Sequence, residues 1–239
     1  MNEDVNRLRV NWRQAIAEVS MIMLGILGAL AVDSWWDERA ERAAEVEYLQ
    51  SLKADFEANR EELKAALEFE HEIVNIGKEI HSTIQSGLTE TQQREIIEKI
   101  GEFYWWNRWR PATGTYDEMM GSGHFSYIQS RELRIELSKY AKLLEDIELN
   151  EEGMTTSWDL EQGPFVLKHL LYSNLGWTGD YVPDSIFSEN FQALETREFW
   201  NLVSAWMASI QDVIRNYERG INDGNDILEL IDFELAKKK

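Results

Sequence analysis

Four short stretches of the sequence hold residue types and spacings that chemistry could use. His71-Glu72-Ile73-Val74-Asn75 departs from the zinc-binding His-Glu-x-x-His pattern only at its last position, where Asn75 replaces the second imidazole. Two histidines four apart on a helix face one metal while the Glu polarises water, so losing one of them leaves a solvated helical face. Glu68 and His71 make one Glu-x-x-His pair, whereas a di-iron bundle needs two such pairs and two further carboxylates. Ser122, Gly123 and His124, after Gly121, place a hydroxyl and an imidazole in a glycine-rich turn whose backbone N–H groups could cradle an anion. The same glycines also serve simply to let one helix turn into the next. The turn lacks the third glycine and the preceding strand of a dinucleotide site. Asn222-Asp223-Gly224-Asn225-Asp226 invites a calcium reading, but taking Gly224 as the loop glycine puts Arg219 at the first ligand position. No catalytic motif is complete, so the expectation is a protein without enzymatic activity, cofactor or metal.

A binding patch is better supported than a reaction. Tyr104, Trp105, Trp106, Trp109 and Tyr116 interleave with Arg108 and Arg110. Such a composition can stack on a sugar, a base or a lipid headgroup, or can pack internally through cation–π contacts. Large aromatics beside arginines are also typical of protein interfaces, so Tyr104, Trp105, Trp106, Arg108, Trp109 and Arg110 form the candidate interaction patch. Nucleic acid is excluded as partner: 44 Asp and Glu against 24 Lys and Arg give a net charge of −20, and phosphate binding draws on the opposite sign. The absence of Cys removes disulfide and thiol chemistry.

The charge is unevenly placed. Residues 1–32 carry Glu3, Asp4 and Glu18 against Arg7, Arg9 and Arg13, so the whole −20 belongs to residues 33–239. Val19 to Val32 is uncharged, and Trp12 precedes it as Trp35 and Trp36 succeed it. A helix from Trp12 to Trp35 rises roughly 35 Å at 1.5 Å per residue, enough for a hydrocarbon core of about 30 Å with aromatic belts at both faces. The arginines before the run put the N-terminus in the cytoplasm by the positive-inside rule. A secretory signal cleaved after Ala31, at Ala29-Leu30-Ala31, and a core helix of a soluble protein are the competing readings. Gly25 and Ala29 sit four apart, a small-residue face that lets helices approach. Glu18 lies two turns in from Trp12, where a carboxylate needs water, a headgroup or a neighbouring helix, or lines a pore in an oligomer.

The elements that would position these residues all read as helices. After Trp36 the chain runs without Pro in Ala, Glu, Leu, Lys and Arg, the strong helix formers, predicting one long helix ended by Gly87. Leu49, Leu52, Phe56, Leu63, Ala66, Ile73, Ile80 and Ile84 recur at three- and four-residue steps, with Asn59, Glu70 and Gly77 in the missing positions. Those interruptions favour a bundle within the chain over a uniform coiled coil. Thr89 with Gln92 is a capping-box signature for a second helix running toward Trp109 and stopping before Pro111. Gly114, Gly121 and Gly123 mark a broken stretch. Ser130 caps a helix carrying Leu133, Leu137, Tyr140, Leu144 and Ile147, and Gly163-Pro164 interrupts the pattern near Trp158. Ser173 to Glu195 reads as a long irregular connection, and a final helix starts near Thr196, its dipole complemented by Lys237 to Lys239. The fold class is all-α: a transmembrane helix in residues 1–36 and an acidic, extracytoplasmic helical bundle with one long helix in residues 37–239.

Residues 14–63 and 115–140 resemble an uncharacterised family of bacterial single-span membrane proteins. In that family a Gly-Ile-Leu-type span has an acidic residue at its entrance and leads through Trp and a Glu-Arg pair into an acidic helix. Glu18, Gly25, Ile26, Leu27, Trp35, Trp36, Glu38 and Arg39 match that pattern, and Tyr116, Glu118, Ser122 and Gly123 match its Tyr-x-Glu-x-x-x-Ser-Gly segment. The resemblance covers about a third of the chain and implies a retained anchor in the bacterial envelope, but no activity. The expected function is a membrane-anchored interaction or scaffolding protein of the bacterial inner membrane, its main domain periplasmic, its partners the bilayer and another protein or a second copy. An oligomeric pore or ion-coupled component using Glu18, and a membrane-tethered enzyme with an unrecognised site, are the alternatives.

Overall fold

The computed structural model of the chain describes residues 12–106, 108–177 and 189–238. Arg7, Arg9, Gly179, Pro183 and Lys239 lie outside them. Among the described residues every element is helical, and no strand is present. Two compact units are formed, up to Tyr48 and from Leu49 onward.

Helix α1 runs unbroken from Trp12 to Ser86, through Asp33 and Ser34. In its first part, up to Trp36, the run from Val19 to Val32 carries no charge, and every large apolar side chain is between 54% and 75% exposed. Trp35 and Trp36 meet edge to face at 5.5 Å, with the Arg39 guanidinium 5.9 Å from the Trp35 ring centre. Among the described residues one helix, α1, is long and apolar enough to cross a membrane, by length and composition. The second compact unit begins with the stripe at Leu49.

From Leu49 on, α1 belongs to a three-helix core. Gly87 ends it in the left-handed conformation (φ 82°), which a residue without Cβ adopts at little cost. Thr89 opens α2 (Glu90–Phe103) with the capping box the sequence announces. After α3 (Gly114–Ser122), closed by Gly123 at φ 79°, and a 3₁₀ turn at His124–Tyr127, Ser130 caps α4 (Arg131–Ser157). A π-turn at Trp158–Gln162 joins α4 to α5 (Gly163–His169), so Gly163-Pro164 opens a helix where a break was expected. A 3₁₀ turn at Tyr172–Leu175 and the short α6 (Phe191–Leu194) lead to α7 (Arg197–Ala236), capped by Thr196. Near its end Lys237 reaches Glu234 at 2.7 Å.

Helices α1 and α7 are antiparallel. Lys53 pairs with Asp232 at 2.5 Å, Arg60 with Asn225 at 3.5 Å, Leu63 meets Gly220, and the His81 ring stacks on Trp200 at 3.7 Å. Helix α4 runs parallel to α1, Tyr140 lying on Phe56 at 4.8 Å, and both pack on Gly220 and Gly224 of α7. The residues that interrupt the α1 stripe are all in its register and all buried. Asn59 holds the Ala112 backbone from both sides, accepting from its N–H at 2.7 Å and donating to its carbonyl at 3.0 Å. Gly77 leaves room for Phe103 and Met207, which a Cβ would meet at 2.6–2.8 Å. Glu70 puts a carboxyl in the core.

Candidate functional site

Helix α2 stops at Phe103, six residues short of the expected Trp109, and its last turn explains why. The final four carbonyls of a helix have no partner within it. Here two of them are taken by indoles from distant segments: Trp177 Nε1 donates to the Gly101 carbonyl at 3.0 Å and Trp206 Nε1 to the Phe103 carbonyl at 3.2 Å. The chain then leaves the helix and fans out its aromatic residues. Tyr104 turns inward, 1% exposed, while Trp105 stays 56% exposed.

What forms is a cleft of about 240 Å³ walled by Tyr104, Trp105, Trp106, Trp158, Tyr172 and Trp177. The rings brace one another at tilted and edge-to-face angles: Tyr104 to Trp158 at 5.3 Å, Trp158 to Trp177 at 5.6 Å and Tyr172 to Trp177 at 4.7 Å. Such aromatic pairs add about 0.5–1.5 kcal/mol each beyond their burial, so the walls are held by more than contact area. Gln162, fully buried, accepts from the Tyr104 hydroxyl at 2.9 Å and donates to the Leu202 carbonyl at 3.4 Å. Burial raises the Tyr104 hydroxyl far above its usual pKa, keeping it a neutral donor. Two glycines make the walls possible. A Cβ on Gly101 would stand 1.9 Å from the Leu175 carbonyl oxygen, and one on Gly163 would stand 2.9 Å from the Trp158 carbonyl oxygen and 3.2 Å from its ring.

Trp105 and Trp177 also line a larger adjoining cavity of about 700 Å³, together with Glu72, Glu98 and Glu102. No Lys or Arg is among the described residues lining either cavity. Sequence reasoning places Tyr104 to Trp106 here and misses Trp158, Tyr172 and Trp177, which come from two later segments.

The arginines of the patch go elsewhere. Arg108, Arg110 and Trp109 line a separate groove of about 540 Å³ with Asp117, Glu145, Glu148 and Glu151. At its floor is a buried polar cluster. Glu151 accepts from the Tyr217 hydroxyl at 2.9 Å and the Trp109 backbone N–H at 3.2 Å. Burial raises its pKa against those bonds and against the nearby Arg108. Glu70, 3% exposed, is pushed up to about 7 by burial and then by the Glu151 charge. One Glu70 carboxyl oxygen and the Trp109 Nε1 are buried without a hydrogen-bond partner. Burial also raises the Tyr217 hydroxyl, and both carboxylates reinforce it.

The remaining candidates take structural positions. Ser122 Oγ donates back to the Glu118 carbonyl at 2.8 Å, Gly123 supplies the positive φ, and His124 stacks on Tyr127 at 4.6 Å. That is a helix-ending turn. His71, Glu72 and Asn75 sit on the outer face of α1, and among the described residues no group of three metal-ligating side chains converges. Arg219 reaches Asp223 along α7 at 3.3 Å, where Asn222–Asp226 is a turn of helix. Trp12, Glu18, Gly25, Ala29, Trp35 and Trp36 are all exposed on the first part of α1, and a Cβ at Gly25 would meet nothing within 4 Å. No family model, curated protein or solved structure matches the chain.

Proposed function

We propose that this chain is a single-pass protein of the bacterial inner membrane whose periplasmic helical unit engages a partner through the aromatic cleft. It acts in interaction or scaffolding and not in catalysis. The observation that carries this reading is the uniform exposure of the large apolar side chains from Trp12 to Trp36. The uncharged run from Val19 to Val32, apolar around the whole helix, needs a nonaqueous surrounding, and the tryptophans at both ends suit the two interfaces. The arginines at 7, 9 and 13 favour a cytoplasmic N-terminus. The resemblance to the single-span envelope family agrees with this placement.

Expression in a bacterium, extraction of the membrane fraction at alkaline pH and an intact-mass measurement test it. A carbonate-resistant protein with all 239 residues supports the anchor. A mass lacking the first 31 residues, or recovery in the soluble fraction, overturns it. Orientation is read from Ser138→Cys in a chain that otherwise has no Cys. A membrane-impermeant maleimide labels it in spheroplasts if the main unit is periplasmic, and only after lysis if it is not.

A further inference from the structure

We propose that the aromatic cleft is a receptor for a compact organic cation of the trimethylammonium type. This rests on the reading of the cleft as the binding face and names the chemistry of what it binds. All six walls are aromatic and five of the side chains belong to residues that are at least partly exposed, so a guest of a few heavy atoms fits a space of about 240 Å³ and can reach it. Ring faces carry negative potential and attract a cation within about 6 Å, most strongly for Trp, and a cage of several rings is the usual host for a quaternary ammonium.

Charge and hydrogen-bond supply narrow the guest. The adjoining cavity contributes Glu72, Glu98 and Glu102 and no basic residue, which disfavours an anion and favours a cation. Two of the polar groups that a sugar could use are already engaged, the Tyr104 hydroxyl with Gln162 and the Trp177 indole N–H with the Gly101 carbonyl, and among the described residues the cleft holds no carboxylate or amide of its own to bind sugar hydroxyls. A trimethylammonium group asks for no hydrogen bond. It asks for low-polarity walls with negative faces and a carboxylate nearby, and those are what the two cavities supply. The walls are also fixed before any guest arrives: the indole-to-backbone bond of Trp177, the close seat of Trp158 on Gly163 and the Gln162 bridge hold the rings in place, so little ordering cost remains at binding.

The same headgroup could come from a free solute or from a choline lipid, and the test separates them. The full chain in a maltoside detergent, which carries no ammonium group, is titrated by calorimetry with choline. Parallel titrations use its neutral isostere 3,3-dimethylbutanol and submicellar dihexanoylphosphatidylcholine. Saturation by choline, with the isostere binding at least about tenfold more weakly, supports a soluble solute as guest. Saturation by the phosphatidylcholine alone supports a lipid headgroup. Equal binding of the isostere overturns the proposal, since the cleft would then be merely apolar, and so does the absence of saturation by either trimethylammonium compound.

Trp105→Ala, at the exposed rim, is expected to weaken binding about tenfold with an unchanged thermal transition. The triple change Glu72→Gln, Glu98→Gln, Glu102→Gln is expected to weaken it about threefold and to flatten its salt dependence, because these exposed carboxylates act through solvent. Binding insensitive to both variants overturns the assignment of the site. Loss of cation binding in a protein that remains carbonate-resistant in the membrane defeats this inference alone, while a protein released from the membrane that still binds choline defeats only the anchor.

Discussion

At the residue scale the least expected feature is a carboxyl pair in the bundle core. Glu70 reads in the sequence as a flaw in an apolar stripe, and the stripe alone does not tell that a second carboxyl meets it, because Glu151 lies eighty-one residues away on another helix. Its energetic consequence is a pH dependence with a definite sign. The folded chain keeps the Glu70 proton up to about pH 7, whereas the unfolded chain releases it near 4.5. Between those values the folded state binds more protons than the unfolded state, so stability falls as pH rises. The full contribution is present below about 4.5 and is lost through about 7, an effect of a few kcal/mol, at about 1.4 kcal/mol for each pH unit separating the two values. Urea melts at pH 5 and pH 8 should differ accordingly. Glu70→Gln, which carries a permanent neutral group of the same size, should raise the midpoint at pH 8 and remove most of the difference. Melts of the Gln variant that keep the native pH dependence would place the titration elsewhere. Asn59 is the contrasting case, a second polar interruption of the stripe that costs little because both of its amide atoms are paired with Ala112.

At the element scale, local chemistry is legible in the sequence and distant chemistry is not. Gly87, Thr89 with Gln92, Ser130 and Thr196 mark helix ends that the structure places within a residue or so, because a cap is decided by atoms three or four positions apart. The end of α2 escapes such reading because no breaker stands between Glu102 and Pro111. What ends the helix there is a pair of indoles from residues 177 and 206, whose arrival no local pattern encodes. The π-turn at Trp158 is hidden for a related reason: Gly163-Pro164 carries the letters of a break, but Gly163 sits at φ −58° and ψ −47° and Pro164 occupies the first turn of α5, where its missing N–H is harmless. These contacts make two glycines behave oppositely. Gly101→Ala puts a methyl group into the Leu175 carbonyl, must push α2 from the 3₁₀ turn at Tyr172–Leu175, and should cost about 1–3 kcal/mol while disturbing the cleft. Gly153→Ala, in the last turns of α4 where the helix continues into the π-turn, with nothing within 4 Å, should stabilise by about 0.5–1 kcal/mol through helix propensity. Thermal or urea midpoints moving in opposite directions check the pair; a neutral Gly101→Ala would mean that α2 and the turn are not in register as described.

At the scale of the whole molecule, the chain divides its chemistry by charge. The first thirty-two residues sum to zero and the rest carry −20, so the part read as a span and the acidic helical unit make opposite demands on solvent. The eight Leu, Ile and Val side chains from Ile16 to Val32 contribute about 2.5–5 kcal/mol toward insertion on a biological scale. A single Arg at the centre of such a helix costs about 2.5–3.5 kcal/mol. One substitution therefore leaves the balance near zero, and two reverse it. Leu24→Arg together with Leu27→Arg should move the protein from the carbonate-resistant membrane fraction to the soluble fraction, while Leu24→Arg alone should leave a divided population. Because both positions lie outside the compact unit that begins at Leu49, the released protein should keep the thermal transition and the ligand response of the parent. A double variant still held in the membrane would show that the apolar segment is not what retains the chain. A double variant that reaches the soluble fraction but melts without a cooperative transition would show that the helical unit depends on the anchor for its fold.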